Sequence, residues 1–118
     1  MRRRVVVTGM GVITPVGKTL DSMWKVLEEG GSGIGYITHF DASNFPTKIA
    51  AEVHGYNLGD YIPNPERFEW SGRNIHFAIG AARNAVDAAG LKPGNYDPAR
   101  FGIYLGAGEG EQNFNMFM

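Results

Sequence analysis

Two glycine-rich turns are the first places in this sequence where chemistry could occur. The first follows an apolar run at residues 5–7 and contains Gly9, Gly11 and Gly17, as in a strand that turns into a nucleotide-binding helix. A dinucleotide fingerprint needs a glycine at position 14, where this chain has Thr14 followed by a proline. We therefore expect these glycines to permit close packing between a strand and a helix, and we expect no nicotinamide cofactor.

The second turn, at residues 106–110, has the sequence Gly-Ala-Gly-Glu-Gly. Its backbone amides could hold an anion, but the carboxylates of Glu109 and Glu111 would repel a phosphate there. The sequence favours a structural turn, or one wall of a pocket that is completed elsewhere.

The three histidines are candidates for metal binding, and His39 or His54 could be grouped with Asp41 and Glu52. These residues share no helical i, i+4 face and no tight ligand spacing, so we expect no metal site. His76 lies between apolar neighbours in a helical pattern, and we expect its ring to make a hydrogen bond in the core.

The sequence also offers no recognisable catalytic nucleophile. The chain contains no cysteine, and no serine or threonine stands in a nucleophile elbow.

The 11 basic and 12 acidic residues give a net charge of −1, which argues against nucleic-acid binding. The apolar run after the N-terminal arginines is too short for a signal peptide or a membrane span, so we expect a cytoplasmic protein.

The elements that would position these turns alternate between strand and helix. Residues 5–7 are β-branched and predict a buried strand. Thr19 is a candidate cap for a helix that ends at Gly30 and Gly31, and residues 48–53 could form a short strand. Apolar residues near 34–40 suggest only an edge.

The clearest helix is predicted at residues 73–89. It is alanine-rich and apolar on most faces, so we expect it to be buried, with a Schellman stop at Gly90 and Leu91. A second buried strand is predicted at residues 101–105. The order of elements indicates an α/β fold in one domain.

Stretches along nearly the whole chain resemble the β-ketoacyl-acyl-carrier-protein synthases, especially the type II elongation condensing enzymes. The resemblance lies in residues 2–17, 32–35, 37–43 and 45–53 and in the long helix that ends at Gly90-Leu91. It implies a thiolase-like fold, of which residues 1–118 would be the N-terminal portion of the first α-β-α-β-α half, incomplete at the C-terminus. It covers well under half of a family member.

The resemblance also implies decarboxylative Claisen condensation between an enzyme-bound acyl group and a malonyl group on an acyl carrier protein. The family uses a cysteine nucleophile and two histidines, all beyond the position that matches Met118, so we expect no catalytic residue here and no cofactor. The expected partners are an acyl carrier protein and either a second copy of the chain or the remainder of a synthase. The alternative is a non-catalytic partner subunit like a chain-length factor.

The sequence departs from the family pattern in two places, the segment before the long helix and the second glycine-rich turn. A basic cluster that docks the carrier protein is expected just before the long helix, but here only Arg67 and Arg73 are basic, and Glu66 and Glu69 stand beside them. The resemblance places Gly108 and Glu109 at an acyl-pocket wall or dimer contact. A carboxylate is costly to bury beside an acyl chain, so Glu109 argues against a fatty-acyl substrate and leaves room for a polyketide-like or atypical synthase.

Overall fold

The computed structural model describes residues 2–108 of the chain. In chain order, helix α1 (Leu20–Glu28) is followed by a short hairpin of strands β1 (Ile34–Tyr36) and β2 (Ile49–Ala51) and then by helix α2 (Arg73–Ala88). Three 3-10 helices complete the described elements, at Leu58–Asp60, Pro65–Phe68 and Pro98–Arg100.

Helix α1 begins at the predicted cap. The Thr19 hydroxyl accepts from the Ser22 amide at 3.2 Å, and the Ser22 hydroxyl accepts from the Thr19 amide at 3.1 Å, which forms a capping box. The helix stops before Gly30, whose φ of +70° suits glycine better than any other residue. The predicted start and stop of this helix are confirmed.

Strands β1 and β2 pair antiparallel, with Ile34 opposite Ala51 and Tyr36 opposite Ile49. The strand predicted at residues 48–53 is therefore confirmed in its central part. Its partner lies where the sequence suggested only an apolar edge. Because the hairpin has two strands, Ile34, Tyr36 and Ile49 all remain exposed.

Helix α2 ends as predicted, with a φ of +66° at Gly90 and a bond from the Leu91 amide to the Val86 carbonyl at 3.1 Å. The N-terminal segment lies directly on this helix. A Cβ added to Gly11 would stand 2.1 Å from the Ala81 carbonyl oxygen, so only glycine permits the contact. This confirms that the first glycine-rich turn serves close packing.

The prediction that α2 is buried on most faces is wrong for this chain. Gly80 is its only buried residue, and exposed positions such as Ala82 and Ala88 lie on the uncovered side. The N-terminal segment and the loop before the helix cover one side of it, and no described element covers the other.

The two predicted buried strands are also corrected. Residues 5–7 and 101–105 belong to no sheet among the described residues, and their large apolar side chains are exposed, with Val5 at 94%. A strand exists only when a neighbour pairs with its backbone. Within residues 2–108 neither segment has such a neighbour, so their β-forming side chains stay in solvent.

The accessible surface of the 118-residue chain is large for its mass. It measures 10010 Å², whereas a compact folded protein of this mass exposes about 6,300 Å². The radius of gyration, 17.4 Å, likewise exceeds the roughly 13.5 Å expected for a compact domain of this length.

In the described part of the chain, no helix is long and apolar enough to cross a membrane.

Candidate functional site

The two basic residues that the sequence singled out lie at the start of α2 and just before it, with Arg73 as the first residue of α2 and Arg67 in the preceding 3-10 helix. A cleft of about 310 Å³ lies between the 3-10 helices Leu58–Asp60 and Pro65–Phe68 and the start of α2. The cleft is lined by Tyr56, Asn57, Leu58, Pro65, Glu66, Glu69, Arg73, His76 and Phe77. Arg73 therefore lies in the cleft, whereas Arg67 is outside its lining.

Arg73 is held in place by two contacts. Its guanidinium donates to the Val53 carbonyl at 3.1 Å and stands 5.2 Å from the centre of the Phe77 ring. The first contact joins the start of α2 to the segment after β2, and the second is a cation–π contact. Arg73 thus has a structural role whether or not it also meets a partner.

Arg67 is the more available of the two cations. It lies in the last turn of the 3-10 helix Pro65–Phe68 and is exposed, and within residues 2–108 its side chain makes no hydrogen bond or ion pair. Glu66 and Glu69 are exposed on the same short segment. The ion pairs found in the described part of the chain involve neither of them.

Aromatic rings give the cleft its rigid wall. Tyr56 stacks on Tyr61, with ring centres 5.2 Å apart, and meets Phe77 edge-on at 5.1 Å. The Tyr56 hydroxyl donates to the His76 carbonyl. Desolvation is the main cause that raises the pKa of Tyr56 above its ordinary value, so its hydroxyl stays protonated and able to donate.

His76 makes the hydrogen bond that the sequence predicted. Its Nε2 lies 2.8 Å from the Phe68 carbonyl oxygen, and the residue is half-buried. This bond joins the first turn of α2 to the end of the preceding 3-10 helix, so it fixes the segment that carries Arg67.

A second polar cluster surrounds Glu52, whose side chain is only 7% exposed. Its carboxylate accepts from the Thr38 hydroxyl at 2.6 Å, the Thr38 amide at 3.1 Å and the His39 amide at 3.2 Å. The Thr38 hydroxyl is the main cause that holds the pKa of Glu52 below its usual value. His54 approaches the same carboxylate at 3.6 Å and stacks on His39.

This cluster is a structural clamp. The carboxylate oxygens of Glu52 are engaged by Thr38 and His39, and no group of residues that could hold a metal ion occurs among residues 2–108. Its main-chain contacts fix the turn after β1. The Thr38 partner was missed from the sequence, because nothing in the local pattern links residues fourteen positions apart.

Asn84 is another residue that sequence reasoning missed. Its amide nitrogen donates to the Lys18 carbonyl at 2.8 Å and the Val12 carbonyl at 3.4 Å. Asn84 therefore fixes the glycine-rich turn onto α2. The available signal was a polar amide in the middle of an apolar helix.

The predicted pocket wall at Gly108 and Glu109 is not assembled within residues 2–108. Gly108 is exposed, and a Cβ added there would meet nothing within 4 Å. Glu109 lies outside the described residues. The role expected for these two positions remains a prediction.

The fold and the match to known families define the class of this protein. Residues 2–117 match the family model described as the N-terminal domain of β-ketoacyl synthases. The chain belongs to the β-ketoacyl synthase family. Its architecture is the N-terminal portion of the α/β, thiolase-like fold.

Individual members of this family are similar to the chain over most of its length. The chain is 42% identical to the 3-oxoacyl-[acyl-carrier-protein] synthase 2 of Vibrio harveyi, over 92% of this chain and 26% of that protein. It is 36% identical to the actinorhodin polyketide putative beta-ketoacyl synthase 1 of Streptomyces coelicolor, over 91% of this chain and 23% of the relative. A 3-oxoacyl-[acyl-carrier-protein] synthase and a polyketide beta-ketoacyl synthase are thus both similar to it.

A solved structure agrees with these matches. The ishigamide ketosynthase/chain length factor superposes with a TM-score of 0.67 at 39% identity, covering 78% of this chain and 23% of that one. The chain spans about a quarter of the length of the relatives it matches.

Proposed function

We propose that this chain supplies the N-terminal part of a 3-oxoacyl-acyl-carrier-protein synthase. The observation that carries the proposal is the family match over residues 2–117. The structure supports it because Gly9 and Gly11 seat the N-terminal segment on α2, as a scaffold element of an α/β fold requires.

The reaction of such a synthase is a decarboxylative Claisen condensation. A malonyl thioester loses carbon dioxide, and the resulting carbanion attacks the carbonyl carbon of an acyl thioester held on the enzyme. A carbon–carbon bond forms, the carbon–sulfur bond to the enzyme breaks, and the thiolate leaves. The 118 residues contain no cysteine to carry the acyl group, so the proposal makes the chain a scaffold that is not catalytic by itself.

The expected partner is an acyl carrier protein, and we propose Arg67 and Arg73 as its docking residues. Arg67 is exposed and available, whereas Arg73 is partly engaged by Val53 and Phe77. We also propose association with the remainder of a synthase or with a second copy, through the exposed apolar segments. The cytoplasmic location expected from the sequence stays a prediction that cell fractionation tests.

A second candidate is a non-catalytic partner subunit. One observation favours it, which is the similarity of this chain to the solved ishigamide ketosynthase/chain length factor. A cysteine at the nucleophile position in the polypeptide that completes the synthase supports the enzyme. A different residue there supports the partner subunit.

A chimera tests the proposed function. Residues 1–108 of this chain would replace the matching N-terminal part of the Vibrio harveyi synthase 2, and mass spectrometry would detect the 3-oxoacyl product from malonyl and acyl carrier protein. We expect product from the chimera and from the parent enzyme, and none from the 118-residue chain alone. Product from the chain alone, or a folded but inactive chimera, contradicts the proposal.

A further inference from the structure

We draw no further inference here: the strongest candidate, the apolar groove lined by Met10 of the N-terminal segment and by Leu20, Met23 and Trp24 of helix α1, is an unpartnered face, and nothing in the structure shows what covers it.

Discussion

Glu52 is the residue whose chemistry makes the sharpest local prediction. Its carboxylate holds the turn after β1 through the amides of Thr38 and His39. The Thr38 hydroxyl above all, together with these amides, holds the pKa of Glu52 below its ordinary value of 4.5. The stabilisation from these bonds is therefore complete above 4.5 and is lost as the pH falls through the lowered value. We expect the exchange protection of both amides to fall with acidification.

The matched variants for this prediction are Glu52→Gln and Glu66→Gln. The first should lower the protection of the Thr38 and His39 amides across the pH range, since an amide group cannot match the carboxylate as an acceptor. The second changes an exposed carboxylate and should leave both amides as in wild type. Hydrogen exchange followed by NMR measures the effect, and protection in Glu52→Gln equal to wild type contradicts the clamp.

Asn84 supports a second prediction at the same scale. Its amide donates to the carbonyls of Val12 and Lys18, so Asn84→Asp would set a carboxylate against two acceptors. We expect a loss of about 1–3 kcal/mol in the free energy of unfolding, measured by urea titration. Asn74→Asp, an exposed change in the first turn of the same helix, should have little effect or stabilise slightly. A similar loss in both variants would contradict the role of Asn84.

Some residue roles could be predicted from neighbouring residues in the sequence, and others could not. The bond made by His76 was predictable because its apolar neighbours placed it toward the interior. The clamp at Glu52 and the amide of Asn84 were not, because their partners lie 14 and 66 or more positions away. Such contacts depend on how elements meet, which no short pattern specifies.

At the scale of elements, the contact between the N-terminal segment and α2 gives a direct packing prediction. A Cβ at Gly11 would stand 2.1 Å from the Ala81 carbonyl oxygen and 2.5 Å from the Ala85 amide nitrogen. We expect Gly11→Ala to destabilise the chain by about 1–3 kcal/mol, because the segment must move away from the helix. Gly102→Ala is the control, since its added methyl group meets nothing within 4 Å. Equal stability of the two variants in urea titration would contradict the packing.

Both α-helices were predicted well from the sequence, whereas of the three predicted strands only the one at residues 48–53 was confirmed. The start of α1 was predicted from Thr19 and its end from Gly30 and Gly31, and the end of α2 was predicted from Gly90 and Leu91, all of them local signals. Strand formation needs a second segment, and residues 5–7 and 101–105 have strong β propensity without a partner in the described part of the chain. The short hairpin forms because its two strands, β1 and β2, both belong to the described part of the chain and pair with each other.

At the scale of the whole molecule, the uncovered apolar surface decides how the isolated chain behaves. The total accessible surface of the 118-residue chain, polar and apolar together, exceeds that of a compact protein of its mass by about 3,700 Å², whereas one partner in a standard interface contributes about 800 Å². A single ordinary dimer contact would leave most of the excess exposed. A partner that adds whole layers to the fold is needed to cover it.

We therefore expect the isolated chain to bind a hydrophobic dye strongly and to form oligomers in size-exclusion chromatography. Grafting residues 1–108 onto the remainder of the Vibrio harveyi synthase should reduce dye binding to the level of that enzyme, because the added layers cover the apolar segments. Replacing Val6 and Ile103 by lysine in the isolated chain should lower dye binding, since both side chains are exposed. The matched control replaces the exposed Asn44 and Asn74 by lysine and should leave dye binding unchanged. A monomeric chain that melts cooperatively and binds no dye would contradict the prediction, because its apolar segments would then already be covered.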